Sequence, residues 1–199
     1  MHEKSTYIQQ ALEELTAFIE VSNELKDRII QETKIITQAK MAVLEYENDT
    51  DGGSLWYLVR GVACSIQYDP VLAEERPVLL WKKGDILFQP ESFFENKTLQ
   101  ESIQLWDESI LIGMSYFRLK QLLHHYPNLS PLLARTYGIR ARRLSHHNSS
   151  LAHPAMQRVS ELLEAYPGIQ TKVKQELLAK YLHIDRRTFN VCLKQLQTT

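Results

Sequence analysis

The sequence predicts an α+β fold: a β-roll, or jelly roll, with flanking helices, then a long connecting helix, then a C-terminal helix-turn-helix. Three observations predict it. Eight short β-rich runs separated by turn residues fall between residues 35 and 115. A long stretch with helical apolar spacing follows them. The last stretch, residues 173–196, reads as two helices broken by a three-residue turn.

Size and charge bound what the chain can do. At 199 residues and 44% hydrophobic, it can bury one good core and a smaller second one, so two units are expected. Residues 1–128 hold 12 Lys and Arg against 20 Asp and Glu, a net −8, while residues 129–199 hold 11 against 4, a net +7. A basic C-terminal portion fits a polyanion partner, because neutralising phosphates releases counterions and drives non-specific DNA binding. Two distant cysteines, Cys64 and Cys192, exclude a disulfide framework. No apolar run reaches the roughly 18 residues of a membrane span, and MHEKSTYIQQ lacks a signal-peptide core. A cytoplasmic protein with no membrane partner is expected.

In chain order, Ile8, Leu12, Leu15, Phe18 and Ile19 share one helical face, and a second helix from about Ser22 brings Leu25, Ile29 and Ile30 to one side. Strands are expected at 35–36, 42–46, 55–60, 62–68, 78–82, 86–88, 102–106 and 109–115. Asp51-Gly52-Gly53, Gly61 and Lys83-Gly84-Asp85 supply the tight turns. The acidic segment 70–77 reads as a solvated hairpin tip. Residues 115–126 look helical, with Phe117, Leu119, Leu122 and Leu123 as the apolar set and Pro127 as the stop. A long helix from Leu129 to Leu144, basic on one side, is the candidate dimer element, and a helix folding back on its own β domain gives the same pattern. The His- and Ser-rich residues 146–153 read as a hinge before a helix over 154–165, which Tyr166-Pro167-Gly168 ends. The expected division is a sensor roll over 1–127, a connecting dimerisation helix over 128–150, and a DNA-binding unit over 151–199.

The terminal stretch carries the most specific chemistry. Leu178 and Leu182 lie one turn apart in a first helix, with Ala179 small enough for close crossing. Asp185 is a good N-cap for a second helix beginning at Arg186. On that helix Phe189, Cys192, Leu193 and Leu196 fall on one side, and Arg187, Asn190, Val191 and Lys194 on the other. Arg reads guanine and Asn reads adenine by paired hydrogen bonds, so the second face suits a major groove. A plain helical hairpin with a solvated charged face fits the same residues.

The order of parts resembles the Crp/Fnr family of bacterial transcription regulators, particularly the variant common in the Bacteroidetes. The resemblance is carried by residues 55–61 (LWYLVRG), Lys83-Gly84-Asp85, Pro90-Glu91-Ser92-Phe93-Phe94, Glu101-Ser102-Ile103, residues 116–127, and Leu182-His183-Ile184 with residues 186–196. It implies a cyclic-nucleotide-binding-like roll, a winged-type helix-turn-helix, a homodimer and double-stranded DNA as partner. It also implies a pocket for a small-molecule effector of unknown identity, with Gly84, Glu91, Ser92, Lys97, Gln100 and Ser102 as candidate ligand residues. The family's phosphate anchor departs here. Leu99-Gln100 stands where Arg followed by Ser or Thr is usual, Pro90 has no N–H to donate, and no Arg lies between Arg76 and Arg118. Cyclic AMP and cyclic GMP are therefore not expected, and no other cofactor is. In the reading helix His183 replaces the usual Gly, at a position that calls for positive φ. Val191 and Arg187 stand where the family has its guanine-reading Arg and its Glu. Arg187 and Asn190 become the direct readers, with Arg186, Lys194, Lys174 and Lys172 for phosphates and Thr188 for either. The β-hairpin wing is expected to be absent or very short.

Other classes find no residues. No iron–sulfur cluster can form on two cysteines. His124-His125 and His146-His147 are adjacent pairs about 100° apart on a helix, which do not chelate, so no metal site is expected. No nucleophile with its base, glycine-rich phosphate loop or G-x-S-x-G occurs, so no catalytic residue is assigned and an enzyme is not expected. Two functions remain: a dimeric DNA-binding regulator, or an interaction module of the same fold whose DNA-reading surface has decayed.

Overall fold

The computed structural model describes residues 6–9, 11–13, 21–50 and 52–198. The expected positions Leu15, Phe18 and Ile19 lie outside the described residues. Residues 6–9 and 11–13 are helical and bury Ile8, Ala11 and Leu12. Helix α1 (Asn23–Glu32) starts at Ser22, whose side chain accepts from the Leu25 amide at 3.2 Å. Leu25 is buried, but Ile30 is exposed, one step off the packed face.

The described residues form eight strands at the eight expected places: β1 (Lys34–Gln38), β2 (Val43–Glu45), β3 (Ser54–Arg60), β4 (Val62–Asp69), β5 (Glu74–Lys82), β6 (Ile86–Leu87), β7 (Ser102–Leu105) and β8 (Ser109–Ser115). They make two four-stranded antiparallel sheets, ordered β1-β8-β3-β6 and β2-β7-β4-β5. Their inner faces meet through Trp56, Leu58, Ala63, Leu79, Trp81 and Leu105. The β3–β4 turn requires Gly61: its φ is +110°, and a Cβ there would lie 2.1 Å from the Ser109 hydroxyl. The acidic tip is shorter than expected, because β5 begins at Glu74, paired with Asp69. Asp69 accepts from the Leu72 amide, pairs with Arg76 and accepts from the Val71 amide, and these bonds, the Leu72 one first, hold its carboxyl below the usual carboxylate range.

Strands β3, β4 and β5 read as continuous apolar runs because both their faces are covered. The outer face of β3 gives Tyr57 and Val59 to the N-terminal helical residues. The outer faces of β4 and β5 give Val62, Cys64, Ile66 and Leu80 to a cluster shared with the C-terminal helices. Short helix α2 (Pro90–Glu95) follows β6, and α3 (Tyr116–His125) follows β8 with Ser115 as its cap. Leu119 and Leu122 are buried on α3, whereas Phe117 is 66% exposed and not part of the packed set.

After a 3₁₀ turn, helix α4 (Ser130–Ser150) runs for 21 residues. The expected hinge is thus mostly helix: residues 146–150 continue α4, and the break is confined to residues 151–154. His147 and Ser150 keep the helix because their side chains are buried against the C-terminal unit. That unit comprises α5 (Ala155–Ala165), α6 (Ile169–Lys172), α7 (Gln175–Tyr181) and α8 (Arg186–Thr198). It is tied to the roll by polar contacts as well as by the shared cluster. Lys82 Nζ donates to the Ala165 carbonyl at 2.8 Å, the Tyr166 hydroxyl donates to the Leu80 carbonyl at 3.1 Å, and Arg143 spans Asp85 and Tyr166. No helix among the described residues is long and apolar enough to cross a membrane.

Candidate nucleic-acid interface and the roll interior

Local chemistry sets the angle between α7 and α8. After Tyr181 the chain turns at His183, whose φ is +52°. The His183 amide donates to the Lys180 carbonyl and the Ile184 amide to the Ala179 carbonyl, which closes the helix in a Schellman arrangement. Histidine accepts this φ at some cost where Gly would be free of it. Asp185 then opens α8: its Oδ1 accepts from the Thr188 amide at 2.9 Å and its Oδ2 from the Thr188 hydroxyl at 2.6 Å. These bonds to Thr188 hold the Asp185 carboxyl below its usual range.

Helix α8 has the two faces its sequence implies. Phe189, Cys192 and Leu193 are buried, and Leu196 packs against their cluster. Arg186, Arg187, Asn190, Val191 and Lys194 line one concave stretch of surface on the opposite side. All but Asn190, which is half-buried, are exposed, and Val191 sits among them at 50% exposure. Lys172 and Lys174 are exposed just before α7, with Lys174 at its N-cap position. Thr188 is half-buried, and its hydroxyl proton goes to Asp185.

The six candidate ligand residues of the roll do not converge. Ser92 Oγ and Gln100 Nε2 both donate to the Thr98 carbonyl, at 2.9 and 2.8 Å. Lys97 pairs with Glu95, and Ser102 Oγ accepts from the Glu47 amide. Gly84, with φ +87°, lines a separate crevice beside Trp81 and Thr136. Glu91 faces a groove of about 580 Å³ along α4, shared with Tyr137, Arg140 and Leu144.

Residues outside that set organise the roll interior. Gln89 is the hub: its Nε2 donates to Glu45 Oε2 at 3.2 Å and to the Glu101 carbonyl at 2.9 Å, while its Oε1 accepts from the Gln100 and Glu101 amides. Glu45 also accepts from the Ser54 amide and Trp56 Nε1, and burial raises its pKa against those donors. Arg140 of α4 reaches in and gives Nη2 to Glu101 Oε1 at 2.5 Å, with both side chains almost fully buried. Sequence reading missed this pair because the two residues are 39 positions apart. The available signal was a cation at position 140 on the same helical face as Leu133 and Thr136.

No family model matches the chain, and no curated protein does. Solved structures match over most of its length. FixK2 from Bradyrhizobium japonicum superposes with a TM-score of 0.71 at 14% identity, covering 83% of this chain and 85% of that one. CLP, the c-di-GMP-responsive global regulator of Xanthomonas campestris, gives 0.65 at 19% identity, covering 86% and 90%. A CooA mutant from Carboxydothermus hydrogenoformans gives 0.63 at 16% identity, covering 89% and 81%. The chain therefore shares the fold of these proteins over most of its length, a two-sheet roll with flanking helices, and carries a helix-turn-helix at its C-terminal end.

Proposed function

We propose that this chain is a DNA-binding transcription regulator of Crp/Fnr type, acting as a symmetric dimer and unresponsive to cyclic nucleotides. The observation that carries the reading is α8. One face is anchored in the core, and the other presents Arg186, Arg187, Asn190 and Lys194 on a single exposed surface. Arg187 and Asn190 supply the donor and acceptor geometry that distinguishes base pairs, and the cations around them supply phosphate contacts.

Dimerisation is supported by α4. Its inner face, with Leu133, Thr136, Arg140 and His147, is spent on the chain's own fold. The outer face carries Ala134, Tyr137, Ala141, Leu144 and Asn148 at alternating spacings of three and four, the a/d pattern of a two-stranded coiled coil. Tyr137 is 49% exposed there. A lone Asn at an a position, here Asn148, favours the parallel pair because each amide finds its partner only in register.

The cyclic-nucleotide reading is disfavoured by the Gln89 network. Gln89 bonds Glu45 and Arg140 bonds Glu101, and two buried carboxylates oppose a phosphate, while Glu101 Oε2 and Arg140 Nη1 stay buried without a hydrogen-bond partner.

Selection of bound duplexes from a random pool tests the function. The expected result is a symmetric consensus bound with steep salt dependence. No salt-sensitive binding to any duplex at low ionic strength would refute the reading and favour the interaction-module alternative. Titration calorimetry with cyclic AMP and cyclic GMP should give no saturable heat.

A further inference from the structure

Among the described residues of the C-terminal unit, Val191 is the one large apolar side chain left exposed, at 50%. It does not stand at the unit's margin. It lies in the same concave stretch as Arg186, Arg187, Asn190 and Lys194, a hollow of about 470 Å³. Along α8 it stands four residues after Arg187 and three before Lys194, so the three side chains form one strip with Val191 between the cations. The core does not call for it there, because Phe189, Cys192 and Leu193 already fill the buried face.

On the regulator reading above, which this inference deepens and rests on, the strip faces a major groove. Arg187 and Lys194 reach base edges or phosphates to either side, which leaves the short Val191 side chain over the base edges between them. Most groups on those edges form hydrogen bonds: N7 and O6 of guanine, N7 and the amino group of adenine, the amino group of cytosine. A valine pressed on any of these strips water from it and returns no bond, which is unfavourable. The thymine C5 methyl differs, because it is an apolar group in the same groove. Asn190, the preceding residue, is the adenine reader proposed for this face. Adjacent Cα atoms lie about 3.8 Å apart, close to the roughly 3.4 Å rise of one base-pair step. The two side chains therefore reach the same base pair or neighbouring ones. We infer that Val191 is a specificity-determining residue that packs on the C5 methyl of a thymine within one base pair of the adenine read by Asn190.

Synthetic duplexes carrying the site selected from a random pool test this, with each thymine replaced in turn by deoxyuridine, which lacks only the C5 methyl. A parallel scan with 7-deazaadenine, which lacks the N7 acceptor, marks the adenine that the protein reads. For the unaltered full chain, one deoxyuridine within one pair of that adenine should weaken binding about fourfold, the worth of one buried methyl group. The matching replacements in both half-sites together should weaken it about sixteenfold. Val191→Ser removes both γ-methyl groups at an exposed position and should bind the thymine and uracil duplexes alike. The proposal is overturned by a site with no 7-deaza-sensitive adenine, by deoxyuridine tolerated at every thymine within one pair of it, or by a Val191→Ser chain that keeps the fourfold preference. Both scans use the unaltered chain, so they decide even where the variant fails to fold. Tight duplex binding with no loss on deoxyuridine sinks only the role of Val191, whereas no salt-sensitive binding to any duplex sinks the regulator reading with it.

Discussion

Asp185 both caps α8 and fixes Thr188, so one carboxylate sets where the reading helix begins. Asp185→Ala should remove the cap and destabilise the fold, read as a lowered Tm. Thr188→Ala in that background should add little, since its hydroxyl would already have lost its acceptor. Arg187 and Asn190 carry the base readout proposed for the exposed face. Arg187→Ala with Asn190→Ala should weaken the selected site by about 1–3 kcal/mol per lost paired contact and leave non-specific duplex binding nearly unchanged, measured by competition at fixed salt. A uniform loss on every duplex would instead make these two residues phosphate contacts. Much at this scale was legible in the sequence, because cap and turn rules are local: Asp185, the positive φ of His183 and the two faces of α8 are where residue type and spacing put them. The commitment of Thr188 to its cap was not legible, because Thr suits a groove and a cap equally well.

At the scale of elements, α4 binds the roll through the Arg140–Glu101 pair, which is buried in the roll's interior. Arg140→Met leaves Glu101 buried and unpaired, so denaturant unfolding should report a loss of about 3–5 kcal/mol. Arg140→Met with Glu101→Gln should recover most of that, because removing both charges removes the uncompensated one. His147 adds a pH term at the other end of α4. Its ring stacks on Tyr181 at 4.0 Å, with His183 edge-on at 6.5 Å, and burial, followed by the nearby His183 and His146, lowers its pKa to about 4. The folded state then binds fewer protons than the unfolded state at moderately acid pH. Stability from this group is full above about 6.5, falls with pH through the window, and levels below about 4. The difference in stability between the wild type and His147→Phe should trace that window, and a flat difference would place the pH sensitivity elsewhere. All eight strands could be read from the sequence, since β-rich runs and turn residues alternate cleanly. The docking of the C-terminal helices on β4 and β5 could not. Val62, Cys64 and Ile66 look like ordinary strand interior, and nothing in a continuous apolar run says which element covers its second face.

At the scale of the whole molecule, two facts bear on the proposed DNA contact. The C-terminal helices are held on the roll by a shared buried cluster, yet the reading face of α8 is exposed in that docked state. On the proposed reading, α8 needs no undocking to meet DNA, only a second copy to set the spacing of two such faces. The proposed seam through Tyr137, Ala141, Leu144 and Asn148 would supply a two-fold contact, and its small neighbours Gly138 and Ser145 would let two helices approach closely. Leu144→Arg puts a charge into that seam twice by symmetry and touches none of the roll's buried network. Light scattering should show the wild type as a dimer and the variant as a monomer with unchanged circular dichroism. Affinity for the selected symmetric site should then fall steeply, because each monomer reaches only one half-site, while affinity for an isolated half-site should hold. If the variant stays dimeric, α4 is not the interface. If it becomes monomeric and keeps full affinity for the symmetric site, one copy of the chain reads its target alone, and the roughly 34 Å separation expected of paired reading helices has no role here.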